Sequence, residues 1–531
     1  MQRVSKKVLI DDMMSWKERI VFSSGSQSTA LGSGAHPALP VLVVSRPVTQ
    51  VIETGEEGSQ FLYRITWPRT GQAKNTAPTQ PLYDSDKKND VLRMESTVTL
   101  DASVEENDDY NPFEHRKVTH PTSTSGAFFH LLKSSLGTGL LAMPAAFKHT
   151  GLIPGCIGTF LVAVIAAHCV HILVQTSRDI CKERRVGSLS YTDTCVKVFK
   201  HGPKNLRPYT EFVRHFVDYA MAGVCLGGTS VYVIFIAASL KNIFDYFCPS
   251  HVLPVEVYCA ILMLPLIVFT QVRHLKFLVP FSMLANICLL LTFAITCYYT
   301  FVDIPDTSDK ELVTNVMEWP LFLSTAIFAM EGINVVMPVE NEMANPKHFL
   351  GCPGVLNITM CLVAGLYSVV GLFGYLKYGN DVLGSITLNL PEDEVLALAA
   401  KILVAVAVFF TYFLQMYAPM DILWTRLKSK ISQRFQNGGQ ILMRSLSVVL
   451  TVILAVAVPD LEMLIGLVGA IFFSTLGLFI PVIVQTVHKW DRGLGKCNYI
   501  LWKNIFLIIF YLIVLISGCY SSVTELITRF S

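Results

Sequence analysis

Charge is scarce in this chain. Asp, Glu, Lys and Arg make up 15% of its 531 residues, whereas a soluble domain carries about 25%. The scarcity is also uneven, because 30 of the 82 charged residues fall within residues 1–120. The rest of the chain is too apolar to cover itself for water: 52% of the whole chain is hydrophobic and its mean hydropathy is +0.48. These values exclude a soluble enzyme and a secreted disulfide scaffold. A net charge of +2 carries no signal for polyanions, so no nucleic-acid partner is expected. No secretory signal is expected either: the apolar core Val8–Ile10 is too short, and Asp11 and Asp12 come directly after it. The stretch Gly493-Leu494-Gly495-Lys496-Cys497 lacks the spacing and the Ser/Thr of a nucleotide-binding loop. Neither a potassium-type filter nor an arginine ladder is present. Of the thirteen cysteines, only Cys248 falls in a predicted outer loop, so no disulfide framework is expected. The sequence calls for no cofactor and no metal.

What is abundant is long runs without charge. From residue 130 onward there are 11 such runs: 134–147, 149–177, 219–240, 257–272, 277–302, 319–330, 348–376, 402–420, 445–459, 463–488 and 504–524. A helix needs roughly 17–25 residues to cross the hydrocarbon. Seven runs have that length, and four reach it only by admitting a flanking or interior charge. The runs do not alternate in polarity, which argues against barrel strands, and helices satisfy their own backbone in lipid. The expected fold is an all-α polytopic membrane protein with 11 transmembrane helices. Residues 1–120, rich in Ser, Gly, Thr and Asp, read as a disordered cytosolic leader. Residues 121–531 read as the transmembrane domain.

Alternate loops are basic, which sets the orientation. Arg178, Lys182, Arg184, Arg185, Lys197 and Lys200 lie between spans two and three, and Arg426, Lys428, Lys430 and Arg434 between spans eight and nine. The intervening loops carry Asp303, Asp306, Asp309 and Glu311, then Glu392, Asp393 and Glu394. The amino terminus is therefore expected in the cytosol, and the carboxyl end on the opposite side.

The two shortest runs are the first and the sixth, five spans apart. One contains Gly137-Thr138-Gly139 and then Met143-Pro144; the other is followed by Glu331-Gly332 and Met337-Pro338. Glycine relaxes helical geometry and proline lacks the donor that continues the ladder. Two interrupted segments at matching positions of two halves point to a transporter binding site. The amides freed at a break suit a carboxylate and the freed carbonyls suit an ammonium. A pair of facing breaks thus makes a site for a zwitterion. Close helix packing is the competing role for Gly137 and Gly139.

The stretch HLLKSSLGTGLLAMPAAFKHTG (130–151) resembles the first span of the proton-coupled amino acid transporters, within the amino acid/auxin permeases. IFAMEGINVVMPVENEM (327–343), GSITLNLP (384–391), FFTYFLQMYAP (409–419) and YNPFEHRKVTHPT (110–122) carry the resemblance further. It covers roughly residues 110–531. It implies the bacterial leucine-transporter fold, with spans one to five and six to ten as inverted repeats plus one additional span. It also implies symport of a small neutral amino acid with a proton. An outer disulfide seen in vertebrate members is not carried over, because Glu392-Asp393-Glu394 follows Pro391 without a cysteine.

The substrate-binding residues expected on these grounds are Ser134, Gly137, Thr138, Gly139, Phe328, Ala329, Glu331, Gly332, Tyr232 and Tyr412, with Phe413 as a further cavity wall. His130 and Glu331 are the proton-coupling candidates. An intramembrane ionisable residue is a functional candidate by default, and histidine titrates near pH 6.5. The resemblance points to His130 as well. Glu331 either exchanges a proton or accepts backbone hydrogen bonds from span one. Lys133 has two candidate cavity partners, Asp218 and Glu331. His168 resembles the second-span histidine of the family and, with His171, reads as a packing residue. Tyr110-Asn111-Pro112-Phe113 matches two sorting-signal patterns but stands close to span one, with little reach for an adaptor. The expected partners are small neutral amino acids, protons and the lipid bilayer, with cytosolic adaptor or signalling proteins at the leader. The expected function is proton-coupled entry of small neutral amino acids into the cytosol, at the lysosomal or plasma membrane, and not an enzyme activity. The rivals are a nutrient receptor that signals through its leader and a channel.

Overall fold

The computed structural model describes residues 110–530, apart from 117, 119, 120, 274, 306–309 and 331. Residues 1–109 of the expected leader, and Glu331, lie outside the described residues. The described chain is helical. The elements are α1 (Thr124–Ser135), α2 (Thr138–Lys148), α3 (Leu152–Arg184), α4 (Tyr191–His201), α5 (Thr210–Phe247), α6 (Val255–Thr270) and α7 (Leu275–Phe301). They continue with α8 (Trp319–Ala329), α9 (Ile333–Glu342), α10 (Val355–Tyr378), α11 (Val395–Lys428), α12 (Gln436–Ala457), α13 (Leu461–Trp490) and α14 (Tyr499–Phe530).

Nine helical segments among the described residues are long and apolar enough to cross a membrane, the divided α8–α9 among them. The first expected span is the divided pair α1–α2, and the fourth is the 16-residue α6. At 1.5 Å per residue α6 is about 24 Å long. Its carboxyl end is closed by Arg444 of α12, which is buried and donates to the carbonyls of Thr270 (2.7 Å) and Val272 (3.0 Å). The interior charge that shortened run 445–459 is thus a cap on a neighbouring helix, and α12 passes through it from Gln436.

Large apolar side chains such as Leu264, Leu290, Phe506 and Ile516 are exposed on the helices. So much apolar surface fits lipid and not water. The protein is a polytopic membrane protein. Helix α5 is central, with 72% of its most apolar stretch buried, while α7 and α14 are peripheral at 22% each. The divided pairs pack together, α2 against α8, and α10 covers both α1 and α2. Outside the spans, α4 docks beneath α13. Its Tyr191 hydroxyl donates to the Leu476 carbonyl at 2.7 Å, and burial pushes that hydroxyl well above its usual titration range. Leu476 lies where α13 widens into π-type turns, Gly469–Phe473 and Thr475–Phe479.

Candidate functional site

The interruptions fall where glycine permits them. Helix α1 ends at Ser135, and Leu136 and Gly137 leave helical geometry, with Gly137 extended at φ −126° and ψ −151°. Helix α8 ends at Ala329, and α9 resumes after Gly332. The two breaks meet. A Cβ on Gly139 would lie 2.6 Å from the Ala329 Cα, and one on Gly332 would lie 3.5 Å from the Ser135 Oγ. Gly139 is therefore a close-packing glycine between α2 and α8. A Cβ on Gly137 would meet nothing within 4 Å.

Tyr367 of α10 ties the breaks together. It is fully buried, and its hydroxyl reaches the carbonyls of both Ser135 and Ala329, the latter at 2.8 Å. These are the last residues of α1 and α8, whose carbonyls lack the usual helical amide four residues on; the Ser135 carbonyl also accepts from the Gly137 amide at 3.0 Å. The negative ends of two helix dipoles converge there and favour a cation. The amides that open α2 and α9 belong to Thr138, Gly139, Ile333 and Asn334; such amides favour an anion. A cavity of about 50 Å³ borders Ser135, Met330, Gly332 and Ile333 at the breaks, Thr359 of α10 and Gly477 of α13. Two buried acceptors on these elements, Asn334 Oδ1 and Ser368 Oγ, have no hydrogen-bond partner among the described residues. The arrangement offers both charges of a zwitterion a place in an apolar setting.

A family model described as transmembrane amino acid transporter protein matches residues 120–524. The chain belongs to the transmembrane amino acid transporter family. It is 36% identical over 426 residues to the Drosophila melanogaster protein called proton-coupled amino acid transporter-like protein pathetic, covering 80% of this chain and 89% of that one. A probable amino acid transporter of Caenorhabditis elegans, skat-1, is 26% identical over 460 residues, or 82% of this chain and 98% of that protein. A sodium-coupled sialic acid symporter, solved substrate-bound and outward-open, gives a TM-score of 0.40 at 13% identity over 78% of this chain and 92% of that chain. That likeness is too slight to carry an argument. Membership makes amino acid transport the function, and the family's members are transporters and not enzymes.

Within this transporter, the expected site residues divide. Gly332 borders the cavity. The Ala329 carbonyl is held by Tyr367, and Phe328 packs edge-on against Phe473 at 5.1 Å. Ser134 donates to the Leu131 carbonyl of its own helix (2.8 Å), and Thr138 is buried. Tyr232 is buried on α5, away from the cavity lining. Tyr412 is turned to α12, where its hydroxyl meets Thr451 at 2.8 Å, and Phe413 stacks on Phe269. Tyr412 and Phe413 are packing aromatics and do not wall the cavity. His130 and Lys133 are exposed on α1. Asp218 is engaged by Arg426 and Thr192 and is no partner for Lys133. His168 is exposed and His171 half-buried on α3. Among the described residues no disulfide is formed. Tyr367 was missed. Its signal was a polar pair, Tyr367-Ser368, deep within the run 348–376.

At the end of the bundle where the described chain begins, the Tyr-Asn-Pro-Phe segment is folded. Asn111 caps the turn Pro112–His115, and Pro112 is buried. Phe113 lies against the guanidinium groups of Arg116 (5.1 Å) and Arg178 (5.2 Å). Both arginines bond the carboxylate of Glu340, which is 2% exposed, and Arg116 also donates to the Gly187 carbonyl. Beyond this, Thr122 pairs with the chain leaving α9 through Thr122 N–Glu342 O (2.8 Å) and Ala344 N–Thr122 O (2.9 Å). The leader's last residues thus clamp α1, α3 and α9 together.

Proposed function

We propose that this transporter carries small neutral amino acids into the cytosol together with protons. The observation that carries the reading is the meeting of the two helix breaks, with carbonyl ends joined at Tyr367 and amide ends opening beside them. An α-ammonium and an α-carboxylate need this pairing, and the protein supplies it without a charged side chain among the described residues lining the cavity. The cavity is small, about 50 Å³, which favours a small side chain. The relative in Drosophila is named for proton coupling. In the same reading the chain has eleven spans, arranged as an inverted five-plus-five repeat with one additional helix. Its amino terminus is cytosolic, and it resides in the lysosomal or plasma membrane. The proton groups are His130 and Glu331.

The test is uptake into proteoliposomes of a panel of labelled amino acids, with and without an imposed pH gradient. One proton contributes about 1.4 kcal/mol per pH unit, a tenfold accumulation. Accumulation of glycine- or alanine-sized substrates that follows the gradient and collapses with a protonophore supports symport. Saturable uptake that only equilibrates, whatever the gradient, defeats it. His130→Ala should remove accumulation, whereas Glu331→Gln should retain exchange of labelled for unlabelled substrate if Glu331 carries the proton. The folded Tyr110–Arg116 segment favours a second reading, a nutrient receptor whose leader reports occupancy. Cytosolic proteins that bind the full chain only with amino acid present would favour it.

A further inference from the structure

The face opposite the Arg116–Glu340 clamp carries its own charged cluster. Helix α2 ends there in Lys148, and His149 follows it. Lys148 Nζ meets Glu462 Oε2 at 3.0 Å, and His149 Nε2 meets Glu462 Oε1. Glu462 opens α13, whose first turn is capped by Asp460. The His149 and Glu462 side chains are each 12% exposed. His149 also borders a cavity of about 310 Å³ with Glu318, Leu321, Ser521 and Glu525. The groups around the imidazole are thus Lys148 at the end of α2, Asp460 at the cap of α13 and Glu462 in its first turn, Glu525 from α14, and Glu318 from the segment before α8.

This pair joins the second half of span one to the start of α13, the helix whose Gly477 borders the cavity at the breaks. We propose that His149 and Glu462 form a proton-operated latch on the outer face, which senses acid on that side and closes α2 onto α13. The inference deepens the transport reading above and rests on it. Of the two cations at Glu462, only the histidine is a residue type that titrates between pH 5 and 8. A neutral imidazole offers Glu462 one ordinary hydrogen bond. A protonated one offers a charge-assisted bond, roughly twice as strong. Acid therefore favours the closed outer face, the step that must precede release to the cytosol. His149 acts here as a positioning residue that gates entry. Its proton stays on the outer side, so the number of protons carried per substrate is set elsewhere.

The test uses the full-length protein in liposomes, with exchange of labelled for unlabelled amino acid at equal pH on both sides, from about pH 8 to about pH 5.5. Exchange needs no proton gradient, so the part of its pH profile that the His149 and Glu462 variants remove belongs to the latch. Wild type should accelerate about tenfold toward acid. His149→Gln and Glu462→Gln should flatten the profile while leaving the proton-to-substrate ratio unchanged. His149→Lys, which restores a cation, should give exchange that is flat and high. A His149→Gln protein with the wild-type pH profile overturns the latch. A wild type that exchanges no amino acid overturns the transport reading itself. If the Gln variants fail to fold, Ser521→Cys in the native His149 background keeps the question open to measurement. An impermeant thiol reagent, read at residue 521 by peptide mass spectrometry, should label several-fold more slowly at acid pH, after correction for thiolate content. Equal corrected rates overturn the proposal.

Discussion

Tyr367 serves two carbonyls with one hydroxyl proton. Its hydroxyl stands in for the helical amide at Ala329 and adds to the Gly137 amide at Ser135. Tyr367→Phe keeps the ring but takes the hydroxyl from the buried Ala329 carbonyl and leaves the Ser135 carbonyl only the Gly137 amide at 3.0 Å, which should cost about 1–3 kcal/mol. A lower melting temperature and a raised KM for uptake, with normal membrane insertion, are expected. At the clamp, Glu340 is buried between two arginines. Glu340→Ala leaves those cations without their anion and should destabilise by about 3–5 kcal/mol, read as loss of monodisperse protein on heating in detergent. The two glycines of span one should behave oppositely. Gly139→Val forces a side chain into the Ala329 backbone and should unseat α2 from α8 with or without substrate. Gly137→Ala enters open space at a φ that any residue adopts, so it should fold normally and report on the break alone. A Gly139→Val protein as heat-stable as wild type would sink the packing role given to that glycine.

Helix α13 is built to leave room. Its π-type turns lie along the site, and a Cβ on Gly477 would meet nothing within 4 Å. Gly477→Val should therefore fold, narrow the cavity and shift competition toward the smallest substrates, measured as a larger ratio of glycine to leucine inhibition of uptake. An unchanged ratio would place the substrate side chain elsewhere. At this scale the sequence was most readable. Ten of the charge-free runs coincide with stretches that are α-helical or divided by a break, and run 463–488 falls in α13 with its widened turns. Charge-free length is itself the physical requirement for lying in lipid, so composition reports it directly. The breaks were readable for a similar reason, since glycine and proline act on their own backbone. The turn of Tyr412 toward Thr451 and the bond of Arg444 to the end of α6 were not. Which way a side chain faces depends on helices far apart in sequence, and no local pattern encodes it.

The molecule has a clamp at one end and a titratable cluster at the other, with α3 running between them. At about 1.5 Å per residue, its 33 residues span about 50 Å. Gly151, at φ +81° with the Leu312 backbone 2.8 Å from where a Cβ would sit, starts that helix on the far face, and Arg185 ends it beside the clamp. Tags on the two termini should therefore be reached from opposite sides of the membrane in intact cells. Both tags on one side would refute the eleven-span topology. Alternating access also requires the clamped ends to part in some states. A protein that grips Tyr110–Phe113 as an extended peptide must first withdraw Phe113 from Arg116 and Arg178. Its binding and the opening of the clamp are then thermodynamically reciprocal: each shifts the other by the same factor. Residues that match a sorting signal would be legible to the trafficking machinery only while the transporter faces the cytosol, so its address would depend on its workload.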